Sequence, residues 1–336
     1  MKLLFELSKE HTTLPKDEVL SCLNAEDIAY RIVESNENVL LIKSDVNNET
    51  IKKLAKRLSF TFYINELLFS CSNSPNDLKK YASEHMISRE GSIAIRCKNR
   101  SASINSQQIV KTLCEIYTKE RTVDLTDPDI EMRVVLTDTC VYVGLKIAEI
   151  DRTFFEKRKV QYRPFFSPIS LHPKLARALV NLSSIKKGET MLDPFCGTGG
   201  IVLEAGLIGA EVIGSDIEGK MIEGCKKTLE FYKIKEYELF CSDIGDIHNL
   251  IGNSVDAVVT DFPYGKSTTT KGEDLHKLYN RAFQSIFKIL KNDGLAVIGL
   301  SNVDVISDGG RYFTLIDTYE FKVHRSMTRY FAVFKK

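Results

Sequence analysis

The sequence predicts an α/β protein in which an α+β region at the N-terminus precedes a mostly parallel sheet wound with helices. Three observations carry this. From residue 164 onward, short apolar runs alternate with helical segments, the pattern of βα units. Four successive runs there finish on an aspartate, at Asp193, Asp216, Asp243 and Asp261. The first seventy or so residues alternate instead in the order β-α-β-β-α-β, the ferredoxin-like pattern.

In order along the chain, residues 2–8 read as a strand, and Pro15 opens a helix over 16–24. Residues 28–35 and 39–44 are strands around a polar Asn36-Glu37-Asn38 turn. Ile51, Leu54, Ala55 and Leu58 have helical spacing within 48–58, and 60–70 returns to strand composition. A second unit follows: a helix over 76–85, a strand over 92–98 ending in basic residues, a helix over 106–120, then strands over 130–137 and 141–147. These divisions set expected domains at 1–72 and 73–150, a linker at 151–163 and a third domain over 164–336. The linker carries five basic residues, Arg152, Lys157, Arg158, Lys159 and Arg163, against the single acid Glu156.

Composition sets outer bounds. The chain has 336 residues, 43% hydrophobic and 27% charged, with a net charge of +1. That is globular composition, and a nucleic-acid surface, if there is one, must be local. No run reaches the ~18 apolar residues of a membrane span and the N-terminus is no signal peptide, so a cytoplasmic protein is expected. The eight cysteines form no CxxC pair and no Cys/His cluster has zinc spacing, so no metal is expected and buried thiols are.

The sharpest motif is Asp193-Pro194-Phe195-Cys196-Gly197-Thr198-Gly199-Gly200, between an apolar strand and a helix over 201–208. A strand, a Gly-x-Gly turn and a helix N-terminus let the backbone approach a nucleotide-like ligand, because a Cβ would block the turn or the approach. Tight βα turns occur in any α/β fold, so the motif alone is weak. Asp216, about twenty residues on, ends the next strand where a ribose hydroxyl pair is bound. A pyrophosphate would be repelled by Asp193. S-adenosylmethionine carries an ammonium and a sulfonium instead, and acids attract it, so this cofactor is favoured over a dinucleotide.

Asp261-Phe262-Pro263-Tyr264-Gly265 follows the fourth strand. It resembles the Asp/Asn/Ser-Pro-Pro-Tyr signature of methyltransferases that act on exocyclic amines. The chemistry asks for these residue types: two acceptors hold the amine N–H groups, here the Asp261 carboxylate and a backbone carbonyl, with Phe262 the favoured source. Tyr264 offers a stacking face for the base. Phe262 departs from the signature, but Pro263 still biases residue 262 to an extended backbone; the ring could alternatively touch base or cofactor. The polar stretch at 266–274 is expected to be a loop, and one that closes over a base is one reading of it.

Over nearly the whole chain these segments resemble the archaeal tRNA guanine-10 N2-methyltransferases, with a Rossmann-like amino-methyltransferase domain behind ferredoxin-like and THUMP RNA-binding regions. The segment from Arg163-Pro164-Phe165-Phe166 through Leu171-His172-Pro173 to Arg177 also carries the resemblance, as do 92–98 and 123–144. It implies cofactor contacts at Asp193, Cys196, Gly197, Thr198, Gly199, Asp216, Ile217 and Asp243, with Ser170 and His172 near the methionine end. His172 need not be catalytic, because a histidine at a helix start is more often a cap or packing residue. Chemistry is implied at Asp261, Phe262, Pro263 and Tyr264. The partner implied is tRNA, gripped by a monomer, with Arg96, Lys98, Arg100, Lys157, Arg158, Lys159 and Arg163 as candidate contacts; Arg163 could equally pair with an acid. The same reaction at another tRNA position or on ribosomal RNA is the nearest alternative. A non-catalytic RNA-binding subunit and a DNA adenine methyltransferase are weaker ones, and thiouridine synthesis lacks its ATP-binding loop here.

Overall fold

The computed structural model describes the chain apart from residues 168–169, 265–272 and 325–326. Most of the stretch expected as a loop at 266–274, and part of the segment before His172, therefore lie outside the described residues. The described chain is mixed α/β with two seven-stranded sheets.

The N-terminal sheet is built from β1 (Lys2–Leu7), β2 (Arg31–Ser35), β3 (Val39–Lys43), β4 (Thr61–Ser72), β5 (Ile93–Asn99), β6 (Ile130–Leu136) and β7 (Cys140–Glu149), in the order β2-β3-β1-β4-β7-β6-β5. The β2-β3-β1-β4 half is antiparallel throughout, with β1 between β3 and β4, the interleaving of a split β-α-β repeat. The antiparallel β4–β7 pair joins it to the other three strands, so the boundary expected at 72/73 falls inside one sheet. Helices Pro75–Glu84 and Ser106–Tyr117 bury Leu78, Ala82, Ile109 and Leu113 against Ile93, Ile130, Met132 and Val143. The 3–4 spacing of those helical positions is what places them on one face.

The second sheet comprises β8 (Thr190–Asp193), β9 (Glu211–Asp216), β10 (Tyr237–Cys241), β11 (Val255–Asp261), β12 (Leu290–Leu300), β13 (Thr314–His324) and β14 (Met327–Lys335), ordered β10-β9-β8-β11-β12-β14-β13. The first five are parallel, as the βα alternation predicts. The antiparallel β14 and β13 extend the edge, a pair the sequence reading did not anticipate. β8 lies between β9 and β11, so the chain departs from it to both sides. A sheet with such a reversal opens a crevice at the carboxyl ends of its strands. Helix Leu275–Ile289 covers one face, burying Phe283 and Ile286 against Ala296, Ile298 and Phe334.

The chain divides into two compact units: Met1–Lys16, Ile28–Lys56 and Phe60–Asp151 form one, and Asp17–Asp27, Arg57–Ser59 and Arg152–Lys336 form the other. The segment expected as a single domain over 1–72 thus contributes to both. Within the second unit, buried Glu18 accepts from the Ser59 backbone at 2.9 Å and from Asn181 Nδ2 at 2.8 Å. Arg57 donates to Asn181 Oδ1 at 3.1 Å and to the Ile185 carbonyl.

The stretch expected as a linker is folded. Helix Thr153–Lys157 and a 3₁₀ turn, Val160–Tyr162, occupy it, and Phe155 is buried. Arg158 lies over the Phe155 ring and forks onto both oxygens of fully buried Glu204, at 2.8 and 2.9 Å. A buried carboxylate must be paired, and this one recruits a residue that sequence position alone marks as a surface charge.

Candidate active site

Parallel register brings the strand-end acids to one edge. Asp193 pairs in register with Gly214, Asp216 with Cys241, and Asp261 with Gly299. Asp243 lies two residues beyond the end of β10. A cavity of about 320 Å³ opens there, lined by Ser170, Asp193, Cys196, Gly197, Thr198, Asp216, Ile217, Asp243, Asp261, Phe262, Pro263 and Tyr264 among others. Every residue singled out in the sequence for cofactor or chemistry is in that wall except Gly199 and His172.

The turn after β8 needs its glycines. Gly197 has φ +50° and Gly199 φ +83°, and a Cβ on Gly199 would lie 2.7 Å from Cys225 Sγ. Gly199 therefore shapes the turn from behind and caps the helix Gly200–Leu207. His172 caps the helix Pro173–Leu182: its Nδ1 accepts from the Lys174 N–H at 3.2 Å, and its Nε2 faces Glu156 at 3.2 Å. Accepting at Nδ1 leaves the proton on Nε2, which donates to Glu156. A capping role satisfies this side chain, and it does not reach the cavity wall.

Asp193 is 1% exposed and accepts from the Phe195 N–H at 3.2 Å; burial pushes its carboxyl up to about 7. Asp216 accepts from the Gly197 and Glu218 N–H groups at 3.0 and 2.9 Å, which fixes its orientation. Burial raises its carboxyl too, against those two bonds. Asp243 is held by Arg281 through contacts of 2.6 and 3.2 Å, and Arg281 also forks onto Glu273 at 3.0 and 2.7 Å. Arg281 and Glu273 lie beyond the motifs and were not read from the sequence. A basic residue in a helix followed by an unremarkable strand gives no signal until the helix is placed.

At the end of β11, Asp261 Oδ1 accepts from the Tyr264 hydroxyl, and Arg329 stands 3.5 Å from Oδ2 and over the Tyr264 ring at 5.1 Å. Burial raises the Asp261 carboxyl, and the Arg329 charge and the Tyr264 bond oppose the rise. The Phe262 ring is 1% exposed and packs on Phe195, Tyr279 and Phe283 at centroid distances of 5.2, 5.2 and 5.3 Å. The ring thus packs in the core while Phe262 also belongs to the cavity wall. The Phe262 N–H donates to the Gly299 carbonyl at 2.9 Å, and the Tyr279 hydroxyl donates to the Pro263 carbonyl at 2.5 Å. The Pro263 carbonyl is thereby occupied, while the Phe262 carbonyl takes part in no hydrogen bond among the described residues.

The candidate RNA contacts separate into two groups. Lys98 and Lys157 are exposed, and so is Arg96, although its Nη2 donates to the Leu125 carbonyl at 2.7 Å. Lys159 pairs with Glu156. Arg100, Arg158 and Arg163 turn inward instead. Arg100 donates to the Leu7 carbonyl at 3.1 Å beside Glu6, and Arg163 is 6% exposed. Arg158 holds buried structure, because burying Glu204 and Phe155 draws the cation in, and Arg163 donates to the Arg158 carbonyl at 2.9 Å.

All eight cysteines are unpaired thiols. Among the described residues no group of His, Cys, Asp or Glu is placed to hold a metal ion, and no helix is long and apolar enough to cross a membrane.

Comparison with known proteins points to one chemistry. A family model described as an RMKL-like methyltransferase domain matches residues 160–330. A DNA methylase model matches residues 22–227 and so stops before Asp261. A crystal structure of TrmN from Thermus thermophilus covers 100% of both chains with a TM-score of 0.59 at 19% identity, and a possible methylase from Clostridium difficile 630 covers 98% of this chain and 97% of its own with a TM-score of 0.58 at 15% identity. Both likenesses show the fold, with a Rossmann-like methyltransferase sheet and a second sheet. Among sequences, the tRNA (guanine(10)-N2)-dimethyltransferase of Pyrococcus abyssi is 36% identical over 73% of this chain and 74% of its own. Its counterpart in Methanothermobacter thermautotrophicus is 36% identical over 100% of both chains, and on that full-length match the chain belongs to the tRNA (guanine(10)-N2)-dimethyltransferase family.

Proposed function

We propose that this chain methylates the exocyclic N2 amine of the guanosine at position 10 of tRNA, using S-adenosylmethionine and giving N2-methyl- and N2,N2-dimethylguanosine. The observation that carries the reading is the pair Asp261 and Phe262 in the cavity wall, a carboxylate followed by a backbone carbonyl that takes part in no hydrogen bond among the described residues.

The residues fit the cofactor. The left-handed Gly197 turn lets backbone line the cavity without a side chain, and Asp193, Asp216 and Asp261 give the wall a negative field that suits an ammonium and a sulfonium. When bound, S-adenosylmethionine supplies a methyl group on positively charged sulfur. Asp216, oriented by two backbone N–H groups, presents its remaining lone pairs to the ribose hydroxyls. Asp261 and the Phe262 carbonyl accept the two N–H groups of the guanine amine and turn its lone pair toward the methyl. The Asp261 carboxylate stabilises the charge that develops on nitrogen and takes the released proton. Burial, which raises this carboxyl, makes it a better base. Tyr264 and Arg329 hold the carboxylate in place.

The THUMP-like β5–β7 region and the exposed cations Arg96, Lys98 and Lys157 are read as the part that grips tRNA. A cavity that takes one base cannot choose among guanosines by itself. A monomer acting in the cytoplasm completes the reading.

The test is nucleoside mass spectrometry of unmodified tRNA incubated with the protein and S-adenosylmethionine. N2-methylated guanosine at position 10 is expected. Asp261→Ala should lower turnover on the order of 10²–10³-fold. It should leave affinity for S-adenosylhomocysteine largely intact, because the lost contacts matter most in the transition state. A product methylated elsewhere, or near-normal turnover in the variant, refutes the assignment.

A further inference from the structure

Arg163 is 6% exposed, and its Nη2 has no hydrogen-bond partner among the described residues. A buried guanidinium nitrogen without an acceptor carries a desolvation cost, so it calls for a partner the protein chain does not itself provide. Its other nitrogens are oriented by the chain. Nε donates to the Arg158 carbonyl at 2.9 Å, and Nη1 lies 3.5 Å from Ser170 Oγ.

The obvious protein partner is already occupied. Glu204 is fully buried, and its oxygens are held by Arg158 at 2.8 and 2.9 Å and by Arg177 at 2.8 Å. Arg163 makes no ion pair among the described residues, although Glu204 is near enough to favour its charge. Two arginines thus hold one glutamate, and Arg163 beside them has no carboxylate among the described residues.

The location of the guanidinium gives the gap its meaning. Ser170 and Gly200 both line the cofactor cavity. A Cβ built on Gly200 would stand 3.2 Å from Arg163 Nη1 and 3.2 Å from Ser170 Oγ. Without a side chain at position 200, the guanidinium packs directly on Gly200 and Ser170, two residues of the cavity wall. Two further arginines stand beside acids of this wall, Arg281 on Asp243 and Glu273 and Arg329 on Asp261. The remaining charges in the wall are acids: Asp193, Asp216, Glu218, Asp243, Asp261 and Glu273.

S-adenosylmethionine presents both signs at its amino-acid end, an ammonium and a carboxylate. The acids suit the first and would repel the second. We propose that Arg163 binds the cofactor's carboxylate at the part of the wall formed by Ser170 and Gly200. Arg163 then reads the amino-acid end of the cofactor, and the buried arginine cluster is its support.

The proposal rests on S-adenosylmethionine as the cofactor, and the test separates the two. Calorimetry on the full chain compares S-adenosylhomocysteine with its decarboxylated analogue, S-adenosyl-3-thiopropylamine. The wild-type protein should bind the first about 10- to 100-fold more tightly, the range for a charge-assisted hydrogen bond. Arg163→Gln should lose most of that preference by weakening S-adenosylhomocysteine and leaving the analogue's affinity nearly unchanged, and Arg163→Lys should restore part of it. The comparison is a cycle in which a general loss of folding cancels. Equal weakening of both ligands in Arg163→Gln would make the residue merely structural and overturn the proposal. A wild-type protein that binds both equally would overturn it without any variant. Failure of the wild type to bind either ligand would overturn the cofactor reading first, and the proposal with it.

Discussion

At the scale of single residues, the site is governed by what burial does to carboxylates. Asp193 ends its strand in the cavity wall, and burial pushes its carboxyl up to about 7, against about 4 for an exposed aspartate. The folded state therefore holds this proton more tightly than the unfolded chain. The stability it contributes is full below pH 4 or so and is lost as pH rises toward about 7. Thermal midpoints measured from pH 4 to 8 should show this fall, and Asp193→Asn should flatten it. An ammonium beside the carboxylate pulls in the opposite direction. Affinity for S-adenosylhomocysteine should rise as pH increases through about 7, with proton uptake by the buffer seen in calorimetry. Phe262 shows where one residue type misleads. In the motif it reads as a substitute for proline, which suggests that Phe262→Pro is harmless. The structure gives the ring a buried aromatic cluster and gives the N–H a bond to the Gly299 carbonyl, and proline replaces neither. Phe262→Pro should cost roughly 3–5 kcal/mol in a denaturant titration, as deletion of a buried aromatic does. A loss of activity in that variant would report unfolding and not chemistry.

Among the elements, a strand that no motif marks makes room for the chemistry. Gly299 on β12 pairs with Asp261 on β11, and a Cβ there would collide with Asp261 Oδ1 and lie 3.0 Å from the Phe331 ring. The carboxylate can rotate away more easily than two strands can separate. The cost of Gly299→Ala should therefore fall on turnover and little on stability. A displacement of that kind should reduce kcat on the order of 10²-fold. Retained melting temperature with lowered kcat supports this, while normal kcat would show that the carboxylate has slack. Helix Leu275–Ile289 acts at the same scale, since it carries Tyr279 to the Pro263 carbonyl and Arg281 to Asp243. Its amphipathic spacing was open to reading in the sequence, but its partners were not, because they are 16 and 38 residues away along the chain.

For the whole molecule, the segmentation of the sequence is simpler than the segmentation of the fold. A fragment beginning at Arg163 contains the whole methyltransferase cavity, and on sequence grounds it should bind cofactor unaided. In the structure it lacks Arg158, Glu18 and Arg57, which satisfy buried Glu204 and Asn181. Removing one partner of a buried ion pair costs about 3–5 kcal/mol. Such a fragment should melt far below the full chain in a thermal scan. Point variants of the intact protein separate structure from RNA binding better. Lys98→Glu should weaken tRNA affinity and reduce the steepness of its salt dependence by about one contact. Arg158→Ala should lower stability and leave the salt slope unchanged. If Arg158→Ala alters the slope as Lys98→Glu does, the assignment of Arg158 to the interior fails.

By itself the sequence determined the α/β class and pointed to the candidate cofactor turn and the candidate catalytic motif. Each depends on residues close together in the chain, where the periodicity of strands, the φ of glycines and the acceptors of Asp261-Phe262 act locally. Its four strand-end aspartates also indicated one site, because parallel strands have to end on the same edge. Only the tertiary structure decided which charges face water. Arg96 and Arg163 look alike in a string of letters, yet one is exposed and the other lies behind Gly200. Likewise it alone decided that His172 caps a helix, that Phe262 belongs to the core, and that residues near positions 18 and 57 pack with the second unit. The physical reason is common to all of these. Burial and pairing are set by partners far away in sequence, and a buried carboxylate such as Glu204 takes its cation from whichever segment the fold brings to it.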